Sequence, residues 1–475
     1  MRKGLKGWLK RLDKFPGLIS LVLVKSIYKV GGLESERAVN KVYSYSMRLK
    51  KLELKNYRGF SGLHLDFPAQ GSAVFIGWNG AGKSSVLEAI KGIMFLLSRR
   101  ILSESELPKD TLGDLDVKVG EQSCVLSAEF VRPDENKTIE LKISHDLASG
   151  SASYKLDPHS GAWLVKEEDK GQLLSNHSIP VLAYYTVDRR LIMQAAEQQE
   201  SKRYLIPQQR AYEGAWGGSL QFDHFIRWFV EEENKENREK IRLKDFEYKH
   251  PALNAVRKAW QSFFAAIGES QYENLRVEER AFNQFTSAPS SLVITKDGQD
   301  LNLQQLSDGE RLSLGMVADI AHRLVLANTA LDDPLQGNGI VLIDEIELHL
   351  HPAWQRRIVP ALEQTFPNIQ FIMTTHSPQV LSRLPREHVF ILDRFKVVAK
   401  TPYTEGRDSN SILYDLFGLE ARPELEEKEL SELYKYIDAE KLEKARGLLE
   451  KLKEKLGEGD AEIQRAEMHL SLLTE

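Results

Sequence analysis

Residues 77–85 read Gly-Trp-Asn-Gly-Ala-Gly-Lys-Ser-Ser, and this stretch decides the fold. It fits G-x-x-x-x-G-K-[ST], the pattern of a phosphate-binding loop. The apolar run at 72–76 predicts a buried strand before the loop, and residues 86–90 predict the start of a helix after it. Strand, glycine-rich turn and helix are the context that the motif requires. The alternative is a glycine-rich turn that binds nothing.

Glycines in this loop let consecutive backbone N–H groups face the phosphates, and the helix N-terminus adds positive charge there. Lys83 is expected to reach the β- and γ-phosphates, and the Ser84 hydroxyl to ligate Mg²⁺. The predicted nucleotide contacts of the loop are Asn79, Gly80, Gly82, Lys83, Ser84 and Ser85. The implied ligands are ATP and Mg²⁺.

The composition of the chain limits the number of domains and the kinds of site that it can contain. A chain of 475 residues is expected to form two to three domains. Its net charge of −5 gives no global attraction to nucleic acid, although a local basic groove stays open. The single cysteine, Cys124, excludes an internal disulfide and a multi-cysteine zinc site, and predicts a buried, inert thiol. No apolar run approaches the roughly 20 residues of a membrane helix, so we expect a cytoplasmic protein.

The first 46 residues are basic. They carry ten Lys and Arg against three Asp and Glu, a net charge of +7. A secretory signal, an amphipathic helix that touches a partner, a membrane surface or nucleic acid, and a poorly ordered leader all fit this composition. Residue 47 begins a new pattern and is predicted to start a domain.

Residues 47–67 alternate between apolar and polar, which predicts two strands of a hairpin. The phase slips once, at Lys50-Lys51, where a bulge is one explanation. Arg58 lies between the two strands, where it could meet a nucleotide. Alone, it would more often be a solvated turn residue.

The stretch 99–290 is predicted to be an inserted lid. Short alternating runs at 124–131, 138–143 and 152–156 predict antiparallel strands, and 181–185 predicts another strand. From about 190 to 285 the pattern is helical and charged, and its aromatic residues fit a packed core better than a ligand platform. Long heptads are missing, which argues against a coiled-coil arm.

Residues 306–310, Leu-Ser-Asp-Gly-Glu, precede a predicted helix that begins near Arg311 and runs to about 326. Ser307 and Glu310 have the spacing of a capping box, which is the structural interpretation. The functional interpretation is a second anion site made by Ser307 and Gly309.

The apolar run 340–343 leads directly into Asp344 and Glu345. In such a site Asp344 holds Mg²⁺ and Glu345 polarises the attacking water as general base. The predicted strand 369–375 ends at His376, which could contact a γ-phosphate, or could only cap or pack. His349 and His351 suggest a metal, but no third ligand is evident.

Taken in order, these motifs resemble those of the ABC-type ATPases of the SMC, RecF and OLD group. The resemblance covers residues 47–395 and implies a dimer in which each ATP lies between one subunit's phosphate-binding loop and the other's Ser307 and Gly309. It also implies that Arg58 lies near the nucleotide. The family's Q-loop residue has no secure counterpart here.

The lid and tail are similar to ATPases of bacterial anti-phage systems of the Septu, retron and PARIS types, which act with a separately encoded nuclease or toxin. The roughly 80 residues after Asp393 are too few for the nuclease domain of the OLD type.

The predicted fold is therefore α/β, an ABC-type P-loop ATPase head with an inserted lid and a helical C-terminal tail. Its predicted parts are the extension 1–46, the N-terminal lobe 47–98, the lid 99–290, the C-terminal lobe 291–408 and the tail 409–475. The predicted partners are a second copy of the chain or a higher oligomer and the separate effector, with DNA or a phage protein as further candidates. The predicted function is ATP hydrolysis that controls this effector in anti-phage defence. The alternatives are a RecF- or SMC-like repair ATPase that clamps DNA and a slow-turnover, nucleotide-bound scaffold.

Overall fold

A computed structural model of the chain describes residues 43–44, 47–102, 111–132, 137–156, 177–187, 207–217, 222–268, 270–278, 291–398, 402–418 and 423–473. The basic extension predicted at 1–46 thus lies outside the described residues, apart from 43–44. The strands are β1 (Tyr43–Ser44), β2 (Arg48–Tyr57), β3 (Phe60–Asp66), β4 (Ala73–Gly77), β5 (Ser123–Arg132), β6 (Lys137–Asp146), β7 (Ser151–Leu156), β8 (His177–Ser178), β9 (Val181–Tyr185), β10 (Tyr272–Glu278), β11 (Ser291–Lys296), β12 (Gln299–Asn302), β13 (Gly339–Ile343), β14 (Ile369–Thr375), β15 (Val389–Asp393) and β16 (Lys396–Val397). The helices are α1 (Lys83–Ile101), α2 (Phe222–Leu243), α3 (Pro251–Ile267), α4 (Asp308–Ala327), α5 (Pro352–Gln355), α6 (Ile358–Thr365), α7 (Pro378–Leu381), α8 (Ser409–Phe417), α9 (Glu424–Asp438), α10 (Leu442–Leu456) and α11 (Ala461–Leu472).

A six-stranded sheet in the order β16-β15-β4-β14-β13-β9 forms the centre of the fold. All its strands except the edge strand β16 run parallel. Every residue of β4, β13 and β14 is buried, as expected for parallel strands that are covered on both faces. The strands predicted from these apolar runs are confirmed, and so is the α/β class.

A second, antiparallel sheet has the order β3-β2-β5-β6-β7. The predicted hairpin is formed by β2 and β3 of this sheet. The register of β2 against β5 shifts between Leu49 and Lys51, where the sequence pattern slips phase. Gln370 joins the two sheets, because its buried side chain accepts a hydrogen bond from Leu49 N at 2.7 Å and donates one to Leu49 O at 3.0 Å. Cys124 is buried in this sheet, as predicted, and burial raises the pKa of its thiol to about 11.

The stretch 99–290 does not form one separate insert. Strands β5, β6 and β7 extend the hairpin sheet, and β9 pairs with β13 in the central sheet. The reason is the uninterrupted apolar run of β9, whose residues are all buried, since such a run fits a central parallel strand. The boundaries of the five predicted parts remain predictions.

The remaining part of this stretch contains α2, α3 and, with residues beyond 290, the three-stranded sheet β10-β11-β12, which we call the lid sheet. The prediction of an aromatic core is confirmed for Phe225, Trp228 and Phe229 of α2, which are buried. Trp260 of α3 is buried as well, whereas Phe246 is exposed.

The C-terminal helices α9, α10 and α11 share a hydrophobic core of their own. Leu430, Leu433 and Ile437 are buried in it, and their spacing places them on one face of α9. Of the helices within the described residues, none has the length and apolar character needed to cross a membrane.

Candidate functional site

Three neighbouring parallel strands bring the separated sequence motifs to one edge of the central sheet. β4 leads into the glycine-rich loop, β13 into Asp344 and Glu345, and β14 into His376. Because β14 lies between the other two strands and all three run in the same direction, their carboxyl ends open on the same edge.

The glycine-rich loop has the backbone geometry that a phosphate cradle requires. Gly80 and Gly82 have φ angles of 77° and 104°, in the left-handed region that favours glycine. A Cβ on Gly82 would lie 2.7 Å from the Phe60 ring, so steric contact also demands glycine there. Helix α1 begins directly afterwards at Lys83, and its first N–H groups face the loop.

Lys83 is the buried cation of the site. Its Nζ donates a hydrogen bond to the carbonyl oxygen of Gly77 at 2.9 Å. Burial lowers the pKa of Lys83, and the carboxylates of Asp344, Glu345 and Glu347 oppose that shift. The lysine and the three carboxylates therefore share one electrostatic environment, although some 260 residues separate them in the chain.

Asp344 and Ser84 are the residues that would hold a magnesium ion. Asp344 is buried, its backbone N donates to Tyr185 O at 2.8 Å, and one of its carboxylate oxygens accepts from the Thr374 hydroxyl. Ser84 is exposed in the first turn of α1. Both offer the oxygen ligands that Mg²⁺ prefers.

No group of three or more His, Cys, Asp or Glu within the described part of the chain could hold a metal by itself. Mg²⁺ in phosphoryl-transfer sites takes one or two protein ligands, and phosphate and water fill its other positions. Of the histidines considered as metal ligands, His351 is the N-cap of α5, and its Nδ1 accepts from Ala353 N at 3.3 Å.

Glu345 sits in an unusual backbone conformation, with a φ of 47°. Its N–H donates to Thr374 Oγ1 at 2.8 Å, so one hydroxyl contacts both residues of the Asp-Glu pair. A left-handed conformation costs a non-glycine residue about 1–3 kcal/mol and often marks an active site. The general-base role of Glu345 remains a prediction.

His376 is half-buried at the end of β14, and its backbone is held by Glu347. The Glu347 carboxylate accepts from His376 N at 2.5 Å and from Thr375 Oγ1 at 2.7 Å. These contacts fix the turn that carries the His376 ring next to the other site strands. Whether the ring contacts a γ-phosphate remains a prediction.

Ser307 and Gly309 lie at the N-terminus of α4, which begins at Asp308. The predicted capping box is confirmed: Ser307 N donates to the Glu310 carboxylate at 2.9 Å, and Glu310 N donates to Ser307 Oγ at 3.4 Å. Ser307 is an exposed residue, and its hydroxyl also donates to the Glu310 carboxylate at 2.7 Å. A Cβ on Gly309 would lie 2.4 Å from His349 O, so the helix approaches the loop after the Asp-Glu pair at backbone distance. A second anion site at this terminus remains a prediction.

Arg58 lies in the turn between β2 and β3 and already has a partner. Its Nε is 2.9 Å from an Asp116 carboxylate oxygen, and its backbone N donates to Asp116 O at 2.8 Å. The predicted contact of Arg58 with a nucleotide remains untested by this arrangement.

A cavity of about 590 Å³ adjoins the glycine-rich loop on the side of β15. Its lining includes Trp78, Asn79 and Phe395, and Trp78 is half exposed. The volume falls in the range of small-molecule sites and suits the nucleoside end of a bound nucleotide. Ser85, the remaining loop residue, is half-buried.

Sequence reasoning missed Thr374, Glu347 and Phe395 as parts of the site. The first two lie close enough to recognised motifs to be suspected. Thr374 precedes His376 by two residues, and Glu347 follows Glu345 by two. Phe395 has no such signal, because its position beside Gly59 and Gly82 depends on the pairing of β15 with β4.

Comparisons with known proteins find family profiles and relatives that match this chain. The profile of a family described as "AAA domain, putative AbiEii toxin, Type IV TA system" matches residues 121–382, and a further AAA-domain profile matches residues 47–113.

Three relatives match most of the chain. The retron Ec83 probable ATPase of Escherichia coli is 30% identical over 444 residues, which cover 83% of this chain and 80% of the relative. The retron Vc95 probable ATPase of Vibrio cholerae is 29% identical over 405 residues, 77% of this chain and 78% of the relative. The Septu protein PtuA of Bacillus thuringiensis is 24% identical over 422 residues, 83% of this chain and 91% of the relative.

Proposed function

Because the chain belongs to the AAA-domain family described above, among ABC-type ATPases of anti-phage systems, we propose that it hydrolyses ATP with Mg²⁺ at a site completed by a second copy of itself. The observation that carries this proposal is the convergence of Lys83, Asp344 and Glu345 at one sheet edge.

Each residue at this edge has a proposed part in the reaction. Lys83 binds the β- and γ-phosphates, and Ser84 and Asp344 hold Mg²⁺, which neutralises charge on the phosphates when it is bound. Glu345 accepts a proton from the water that attacks the γ-phosphorus. The bond between this phosphorus and the oxygen that bridges to the β-phosphate breaks, and ADP leaves. His376 contacts the γ-phosphate, and Glu347 holds the turn of His376 in place.

Ser307 and Gly309, which we call the signature, support a site shared between copies. Ser307 and Gly309 contact Glu310 and the His349 loop of their own chain, and Ser307 is an exposed residue. An exposed serine at a helix N-terminus suits an anion brought by another molecule. We therefore propose that Ser307 and Gly309 act on the nucleotide of the partner copy.

The names of the relatives support a place in defence. Two are retron ATPases and one is a Septu protein. We propose that the nucleotide state of the dimer controls a separately encoded nuclease or toxin. A direct DNA contact would instead appear as DNA binding that weakens steeply with salt.

The test is ATP turnover of the Glu345→Gln variant. We expect turnover to fall by about a hundredfold or more, because the general base is lost, while ATP binding persists. Exposed Glu387→Gln, in the same lobe but outside the site, serves as the control and should keep wild-type turnover. Unchanged turnover in Glu345→Gln would refute the assignment of the base.

A further inference from the structure

The capping glutamate of α4 has more partners than a cap requires. One oxygen of the Glu310 carboxylate accepts from Ser307 N at 2.9 Å and Ser307 Oγ at 2.7 Å. The other oxygen accepts from Tyr272 OH at 2.5 Å and Lys296 Nζ at 2.6 Å. An ordinary capping box needs only the bond from Ser307 N to the carboxylate and the reciprocal bond from Glu310 N to Ser307 Oγ, here 3.4 Å long.

Both additional donors come from the lid sheet and support each other. Tyr272 of β10 is paired with Lys296 of β11 across the strands, and the Lys296 ammonium lies 5.7 Å from the centre of the Tyr272 ring. The ring also packs against Phe264 of α3, with 4.1 Å between centroids. The two donors are therefore held in the lid sheet by each other and, for Tyr272, by Phe264.

We propose that Tyr272 and Lys296 are positioning residues for Ser307, which fix Glu310 and so set the direction of the serine hydroxyl that acts on the partner's nucleotide. This inference rests on the proposed function, in which Ser307 acts across the dimer interface.

The Ser307 hydroxyl can donate only one hydrogen bond at a time. This explains why Glu310 needs donors on the carboxylate oxygen that Ser307 does not contact. The Ser307 hydroxyl has a single proton, and here it points that proton at Glu310. To donate to a phosphate, it must turn away while Glu310 stays in place and keeps accepting from Ser307 N. Tyr272 and Lys296 hold the carboxylate during that exchange.

The same two residues keep Glu310 ionised. Burial would raise the pKa of Glu310, but hydrogen bonds from Lys296, Tyr272 and Ser307 outweigh it and lower the pKa to about 2. Without the hydrogen bonds from Lys296 and Tyr272 the pKa of Glu310 would rise, so the carboxyl would gain a proton at higher pH and would cease to be a pure acceptor.

The structural alternative is that Tyr272 and Lys296 only attach the lid sheet to α4. Arg276 offers a matched control, because it lies in the same sheet and pairs with Glu278 and Asp300 rather than with the signature. Its side chain is 32% exposed, close to the 27% of Lys296.

The experiment measures ATP turnover of the full chain from pH 4.5 to 8 in four variants: Lys296→Met, Lys296→Arg, Tyr272→Phe and Arg276→Met. We expect Lys296→Met to lower kcat about tenfold to a hundredfold, through misplacement of Ser307, and to move the acid limb of the pH profile upward. Tyr272→Phe should do the same to a smaller extent. Lys296→Arg should restore both kcat and the position of the acid limb, and Arg276→Met should match the wild type.

A purely structural role predicts a lower melting temperature with the acid limb unmoved, and that result would overturn the proposal. Tyr272→Phe keeps the ring packing, so it remains informative if Lys296→Met fails to fold. Ser307→Ala distinguishes a failure of the positioning role from a failure of the proposed function. If it abolishes turnover while Lys296→Met and Tyr272→Phe do not lower it, the positioning role is wrong and the proposed function stands. If Ser307→Ala has wild-type turnover, the proposed function itself fails.

Discussion

At the scale of single residues, one hydroxyl orders both acids of the site. Thr374 Oγ donates to the Asp344 carboxylate and accepts from Glu345 N. The hydroxyl is fully buried, so neither contact can be replaced by water without rearrangement. Thr374 thus positions the Mg²⁺ ligand and the predicted general base together.

Thr374→Val keeps the shape of the side chain and removes both hydrogen bonds. We expect kcat to fall about tenfold or more, because a displacement of catalytic groups by a fraction of an ångström is costly. The free energy of unfolding should also drop by about 1–3 kcal/mol, since a buried carboxylate oxygen and an N–H lose their partner. Turnover and urea unfolding measure the two effects.

Thr365→Val is the matched control for this variant. Thr365 is also buried, and its hydroxyl donates to Ala361 O within α6, outside the site. It should lose stability without a comparable loss of kcat. Equal losses of kcat in the two variants would contradict the role given to Thr374.

At the scale of elements, substitution of two glycines of helix α1, one at its N-cap and one in its interior, should change stability in opposite directions. Gly82, the N-cap, has a φ of 104° and faces the Phe60 ring. Gly92 lies inside the helix, where an added Cβ would meet only Thr111 O, at 3.8 Å.

Gly82→Ala should therefore lower the free energy of unfolding by about 2 kcal/mol or more, because strain and steric overlap add. Gly92→Ala should raise it by about 0.5–1 kcal/mol, since alanine favours a helix interior. Urea unfolding of both variants gives the comparison. If both substitutions shift stability in the same direction, the backbone argument fails.

The capping box of α4 predicts a pH-dependent contribution to stability. The folded pKa of Glu310 is about 2 and the ordinary value is 4.5. A depressed pKa means that the ionised group stabilises the fold fully above pH 4.5 and loses this effect as the pH falls through 2.

Glu310→Gln should accordingly be less stable than the wild type at neutral pH, by about 1–3 kcal/mol, because the charge-assisted hydrogen bonds are lost. The difference should shrink from pH 4.5 downward. Unfolding free energies across this pH range provide the measurement, and a difference that does not vary with pH would exclude Glu310 as the titrating group.

At the scale of the whole molecule, the composite site makes a prediction about mixtures. Lys83→Ala destroys the phosphate-binding loop of its own copy, and Ser307→Ala destroys the signature. A mixed dimer of the two variants contains one site with both parts intact. Mixing equal amounts should therefore restore about a quarter of wild-type turnover, since half of the dimers are mixed and each has one working site.

Each variant alone should be inactive in the same assay, and the restored activity should rise with protein concentration. A mixture as inactive as its components would mean that both residues act within one chain. Light scattering of Glu345→Gln with and without ATP tests the dimer directly, because slow hydrolysis should preserve the bound state.

The residue pattern along the chain was sufficient to predict the local features of this protein. The glycine-rich loop, the hairpin with its bulge after Leu49 and the capping box of Ser307 and Glu310 each depend on residues a few positions apart. Backbone conformation and neighbouring side chains decide such features, so spacing in the chain is sufficient to predict them.

Only the tertiary structure decided which distant groups meet. Glu236 belongs to a strongly charged stretch of α2, yet it is buried and pairs with Arg257 of α3 at 2.9 Å. Likewise, β9 joins the central sheet, and Lys296 reaches Glu310 from the lid sheet. These contacts depend on how whole elements pack, and the spacing of residues along the chain carries no information about that packing.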